Sequence, residues 1–108
     1  MSHARVLVVF PQCPTLSELD KAMAPYRDGG GDRYMDRGQW DYFTILWHEA
    51  VCDLLKAPIG CWGVLVGDKF TLVGADWSKP APSPEAVDRA IREAIGNSGH
   101  VVMLDVHL

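Results

Sequence analysis

An uninterrupted apolar and β-branched run, Arg5-Val6-Leu7-Val8-Val9-Phe10, stopped by Pro11, constrains this chain most. Such a run reads as a buried strand, and everything after it has to supply cover and partners for it. The chain closes on a second strand, Val101-Val102-Met103-Leu104-Asp105-Val106-His107-Leu108. Its side chains alternate, with Val102, Leu104, Val106 and Leu108 on one face and Val101, Met103, Asp105 and His107 on the other. At 108 residues there is room for a single domain, 1–108, and for a core that needs no disulfide or metal staple.

Between the two strands the pattern changes several times. Thr15-Leu16-Ser17-Glu18 matches a capping box and predicts a short helix over 16–24, ended by Pro25. Residues 25–40 hold three consecutive glycines, Gly29-Gly30-Gly31, among alternating charges, and predict a long, mobile Gly-rich loop. From Asp41 a helical period sets in. Phe43, Leu46, Trp47, Ala50, Val51, Leu54 and Leu55 make one stripe, Asp41 is a suitable N-cap, and Lys56 before Pro58 suits the C-terminal end. The runs Cys61–Val66 and Phe70–Val73 flank Gly67-Asp68-Lys69, a hairpin signal. After the proline-stiffened stretch Trp77–Pro82, Ser83 and Pro84 open a helix with Val87, Ala90, Ile91, Ala94 and Ile95 inward, stopped by Gly96 or Gly99. The order β, insertion, α, β, β, α, β predicts an α+β, two-layer sandwich of the ferredoxin-like type, with both helices on one face of a four-stranded sheet. The helix-free face would then carry Asp105 and His107, and its apolar Val101 and Met103 would favour a homodimer.

Charge and cysteine usage narrow the function classes. Ten Lys and Arg against 14 Asp and Glu give a net charge of -4, which argues against nucleic acid or an anionic membrane as partner. No apolar run reaches the length of a membrane span, and Met1–Arg5 leads straight into a strand-like run too short and wrongly flanked for a signal peptide, so the expected location is cytoplasmic. Cys13, Cys52 and Cys61 are odd in number and widely spaced, which fits free thiols.

Candidate chemistry is sparse. On a helix, His48 and Cys52 would share one face beside Glu49, but two ligands without a further motif make no metal site. Asp105 and His107 pair a carboxylate with an imidazole, and Cys61 is the thiol that a nucleophilic reading would add, yet Cys61 opens a strand and fits a small buried residue better. Gly29–Gly31 does not follow a strand directly and lacks the Lys-Ser/Thr ending of a phosphate loop. No complete catalytic, cofactor or metal set emerges. Aromatic placement says more. Trp47 falls on the helical stripe, whereas Trp40, Trp62 and Trp77 sit at element ends, with Tyr26, Tyr34, Met35 and Tyr42 near the glycine segment. Such rings either roof the core or anchor a protein interface.

Several segments together resemble a family of small phage and prophage proteins: Ala24-Pro25-Tyr26, Trp40-Asp41-Tyr42-Phe43-Thr44-Ile45, Gly67-Asp68-Lys69-Phe70 through Gly74-Ala75-Asp76-Trp77, and Leu104-Asp105-Val106-His107-Leu108. Where that family continues Ile-Gly-Gly-Arg-Trp, this chain reads Ile45-Leu46-Trp47-His48-Glu49. The resemblance implies a mobile-element accessory protein that acts by binding something in a bacterial cytoplasm. The functional expectation is therefore a non-enzymatic interaction module that inhibits or modulates a host protein, for example of a defence system. Tyr34, Trp40, Tyr42, Trp62 and Trp77 would be its contact rings, with Asp28, Asp32 and Asp36 steering toward a basic patch. A toxin-immunity protein is the alternative within that class. A small-molecule or nucleotide binder, or an enzyme, on the Asp105/His107 face is the alternative outside it.

Overall fold

The computed structural model describes residues 3–36, 38–54, 58–74 and 80–108. Among these residues the sheet has five strands: β1 (His3–Phe10), β2 (Tyr42–Ala50), β3 (Gly63–Val66), β4 (Lys69–Leu72) and β5 (His100–His107). Their spatial order is β2-β5-β1-β3-β4. β1 runs parallel to β3, and the β1–β5, β2–β5 and β3–β4 pairs are antiparallel. Among the described residues two α-helices accompany the sheet, α1 (Leu16–Met23) and α2 (Pro84–Ile95). No helix among the described residues is long and apolar enough to cross a membrane.

β1 lies at the centre because its stretch Val6–Phe10 has no polar side to offer. Val6 and Val8 point to one face, where Leu19 and Met23 of α1 pack with Val102, Leu104 and Val106 of β5. Leu7 points to the other, where Ile91 and Ile95 of α2 pack with Val101 and Met103. Each buried aliphatic side chain contributes about 1.5–3 kcal/mol, and the two half-cores share the one sheet.

This arrangement overturns the two-layer ferredoxin-like expectation. The helices sit on opposite faces, the sheet has five strands and not four, and it contains a parallel pair. The helix-free face does not exist in the expected form either. Val101 and Met103 are buried under α2, so the homodimer surface expected there is occupied.

The second correction concerns residues 41–55. The expected long helix is strand β2 followed by a single 3-10 turn, Val51–Asp53. The segment Tyr42-Phe43-Thr44-Ile45-Leu46-Trp47 is rich in aromatic and β-branched residues, which suit a pleated, half-buried surface. β5 leaves a full row of backbone groups facing away from β1, and pairing with β2 satisfies them. The register shifts between Ile45 and Trp47, so Leu46 is the extra residue of a bulge. Asp41 caps no helix. Its backbone N–H donates to the His107 carbonyl at 3.0 Å, just before β2 begins. Leu55 and Lys56, the expected helix end, and Trp77 lie outside the described residues.

Locally legible elements stand where the sequence puts them. Thr15 Oγ1 accepts from the Glu18 N–H at 3.1 Å, and the Thr15 N–H donates to Glu18 Oε1 at 2.9 Å. Ser83 Oγ accepts from the Ala86 N–H at 3.1 Å to open α2. The β3–β4 hairpin turns through Gly67 at φ 60° and Asp68, pairing Val66 with Lys69. The stretch 25–40, expected as a mobile loop, supplies side chains that close the α1 side of the core. Tyr26, Met35 and Trp40 are buried there, Trp40 Nε1 donates to the Met23 carbonyl at 2.8 Å, and the Tyr26 hydroxyl donates to the Asp68 carbonyl at 2.8 Å. Gly31 is needed for contact: a Cβ there would sit 2.1 Å from the Pro25 carbonyl oxygen.

Candidate functional site

β2 is an edge strand, and among the described residues no other strand pairs with its outer side. Its side chains remain exposed although they are large and apolar: Tyr42 by 51%, Ile45 by 39%, Leu46 by 43% and Trp47 by 38%. The bulge distributes them. Ile45, opposite Leu104, lies on the α1 face, while Tyr42 and Trp47, opposite His107 and Met103, lie on the α2 face. The edge therefore presents apolar groups on both faces of the sheet and between them.

At the Tyr42 end, three rings form a row across β1, β5 and β2. His3 pairs in register with His107, and His107 with Tyr42. The Tyr42 ring stacks on His107 at 4.7 Å and 8°, and His3 meets His107 edge-on at 4.9 Å. His107 Nδ1 lies 2.6 Å from Asp41 Oδ1, and His3 Nδ1 lies 3.3 Å from Asp105 Oδ1. The hydrogen bond from His107 holds the Asp41 carboxyl below its ordinary range, with the charge of the imidazole adding to it. A carboxylate on Nδ1–H orients an imidazole for acid–base work, but among the described residues no hydroxyl or thiol is hydrogen-bonded to this ring. The segments Trp40-Asp41-Tyr42 and Asp105-Val106-His107, far apart in sequence, converge here.

At the far end of β2, His48 Nδ1 and His100 Nε2 face each other at 2.9 Å. Cys13, in the connection from β1 to α1, brings its sulfur into the same group. The shared helical face that would have set His48 beside Cys52 does not form, because His48 sits on a strand and Cys52 in the following 3-10 turn.

The predicted contact residues are divided by the fold. Tyr34 is exposed and lines a groove with Asp32, Asp36, Asp68 and Lys69 at the β4 edge, opposite β2. Tyr42 stands on the β2 edge, and Trp40 is core. Trp62 is half-buried against Phe70 at 5.2 Å. Asp28, Asp32 and Asp36 are exposed. Cys61 is separated from His107 by β1. Its thiol donates to the Gly63 carbonyl at 3.4 Å, and burial pushes its pKa up to about 12. It is protonated at neutral pH and supplies no thiolate. Sequence reasoning missed Ile45, Leu46, Asp41, Cys13 and His100 as site residues. The β-rich composition of residues 42–47 was the available signal for the first two; nothing local marks the others.

Comparison of the chain with family models, curated proteins and solved structures returns no match.

Proposed function

We propose that this chain is a protein-interaction module that binds a partner by strand addition along the free edge of β2. The observation that carries this is the edge itself: nine residues, Tyr42–Ala50, with four large apolar side chains exposed and no Lys, Arg or Pro among them. Edge strands are normally blunted by such residues, because unpaired backbone beside apolar side chains recruits other chains. Strand addition uses that property. Main-chain hydrogen bonds provide affinity, and alternate side chains provide selectivity.

Carboxylates bracket the edge, with Asp41 before it and Glu49 and Asp53 at its end, on a chain of net charge -4. The complementary partner is an extended apolar segment flanked by basic residues. The resemblance to phage and prophage proteins supplies the setting: a host protein in a bacterial cytoplasm, modulated by covering one of its surfaces.

The test uses the whole chain as bait, followed by purification of any captured protein and calorimetric titration of the two pure components. The expected result is a stoichiometric complex that Ile45→Lys and Trp47→Lys each weaken roughly tenfold or more, with unchanged circular dichroism. Tyr34→Ala, at the opposite edge, should leave affinity unchanged. A partner that binds Trp47→Lys as tightly as the wild-type chain, or no protein that rebinds in pure form, refutes the reading.

A further inference from the structure

We propose that Cys13, His48 and His100 form a zinc-binding site with three protein ligands and a fourth position open toward an apolar cleft beside α1. The three come from separate parts of the chain, and the fold explains why they meet. His48 pairs with Val102, and His100 lies two residues before Val102 on β5, so both rings project from the α1 face as diagonal neighbours. Beyond Phe10 the chain turns over that same face toward α1, and Pro11 and Pro14 bracket Cys13 in the crossing.

The distances suit a metal. The three ligand atoms lie within 4.8 Å of one another, the one such trio of Cys, His or carboxylate atoms among the described residues. With Zn–N near 2.05 Å and Zn–S near 2.3 Å, tetrahedral angles put two nitrogens about 3.3 Å apart and a sulfur about 3.6 Å from each. The imidazole nitrogens, now at 2.9 Å, have to separate by a few tenths of an ångström. The sulfur closes by no more than about 1.2 Å, within the reach of one side-chain rotation on a surface residue.

The donor set also selects the ion. One thiolate and two imidazoles suit a borderline cation such as Zn2+, whereas Mg2+ and Ca2+ require oxygen ligands. Two facing imidazole nitrogens share one proton. When the metal takes its place, that proton moves to the outer nitrogen of the donor ring, and the thiol proton passes to solvent.

A cleft of about 210 Å³ adjoins the trio, lined by Cys13, Leu16, Leu19, Ile45, His48 and Val102. A three-ligand zinc leaves one coordination position for water or an incoming ligand, and the cleft offers apolar cover to a small molecule bound there. This site does not depend on the strand-addition reading.

The experiment takes reduced, chelator-treated protein and titrates Co2+ as a spectroscopic probe, then displaces it with Zn2+. The expected result is one Co2+ per chain with a thiolate-to-cobalt charge-transfer band that Zn2+ abolishes. Cys13→Ser should lose the band and Cys52→Ser should keep it. His48→Gln and His100→Gln should each weaken Zn2+ binding roughly a hundredfold or more, since even residues that only support metal ligands cost ten- to a hundredfold. Any one of these variants that keeps the wild-type circular dichroism is sufficient to decide. No saturable binding, a band that survives in Cys13→Ser, or a site that takes copper but not zinc overturns the assignment.

Discussion

His107 is only 5% exposed, and an imidazole tolerates that burial because its Nδ1 reaches Asp41 Oδ1 at 2.6 Å. The sequence pairs His107 with Asp105 instead, since the two share a face two residues apart. In the fold Asp105 turns instead to His3 across the sheet, at 3.3 Å, and leaves Asp41 as the carboxylate on His107. The Asp41 carboxyl is held below its ordinary value of 3.8, so its contribution to stability is present above that pH. It is lost as pH falls from about 3.8 through the folded-state value. Asp41→Asn should therefore lower the urea midpoint at pH 7 and remove this part of the acid-induced loss. Equal acid profiles for the variant and the wild-type chain would show that the bond carries no linkage.

At the scale of elements, β2 is the instructive case. Phe43, Leu46, Trp47 and Ala50 recur at helical spacing, yet the same segment makes a strand because the outer edge of β5 offers partners to eight of its nine residues, all but the bulged Leu46. The two readings separate cleanly by mutation. On the helical stripe Phe43 and Leu46 would be buried together; on β2 Phe43 packs edge-on against Trp40 at 4.9 Å, while Leu46 sits exposed on the bulge. Phe43→Ala should cost about 2 kcal/mol in equilibrium unfolding, and Leu46→Ala less than about 0.5 kcal/mol. Comparable losses at both positions would contradict the strand. The capping box of α1, the Ser83 cap of α2 and the β3–β4 turn were legible because each is closed by residues within a few positions of one another.

For the whole molecule, the decisive feature is a sheet covered on both faces, by α1 with Tyr26, Met35 and Trp40 on one and by α2 on the other. Cys61 reports on the second of these half-cores, where it packs beside Leu7 and Val64 and its thiol is pushed up to about 12. Cys13 and Cys52 are exposed. At pH 8 a thiol reagent should label Cys13 and Cys52 first, with the half-buried Cys61 following markedly more slowly. Immediate labelling of all three would mean that the α2 half-core opens locally.

Periodicity and local chemistry were enough to locate β1, α1, the hairpin, α2 and β5, because the helix caps and the turn are closed by near neighbours and the apolar runs of β1 and β5 mark buried strands whatever they pair with. They could not decide whether residues 42–50 would coil or pair, nor which face each helix would cover. Those choices depend on what an unsatisfied strand edge and two apolar faces of β1 find across the sheet. The same holds for the candidate sites: Asp41 with His107, and Cys13 with His48 and His100, come together only through strand pairing between distant segments, which no local spacing records.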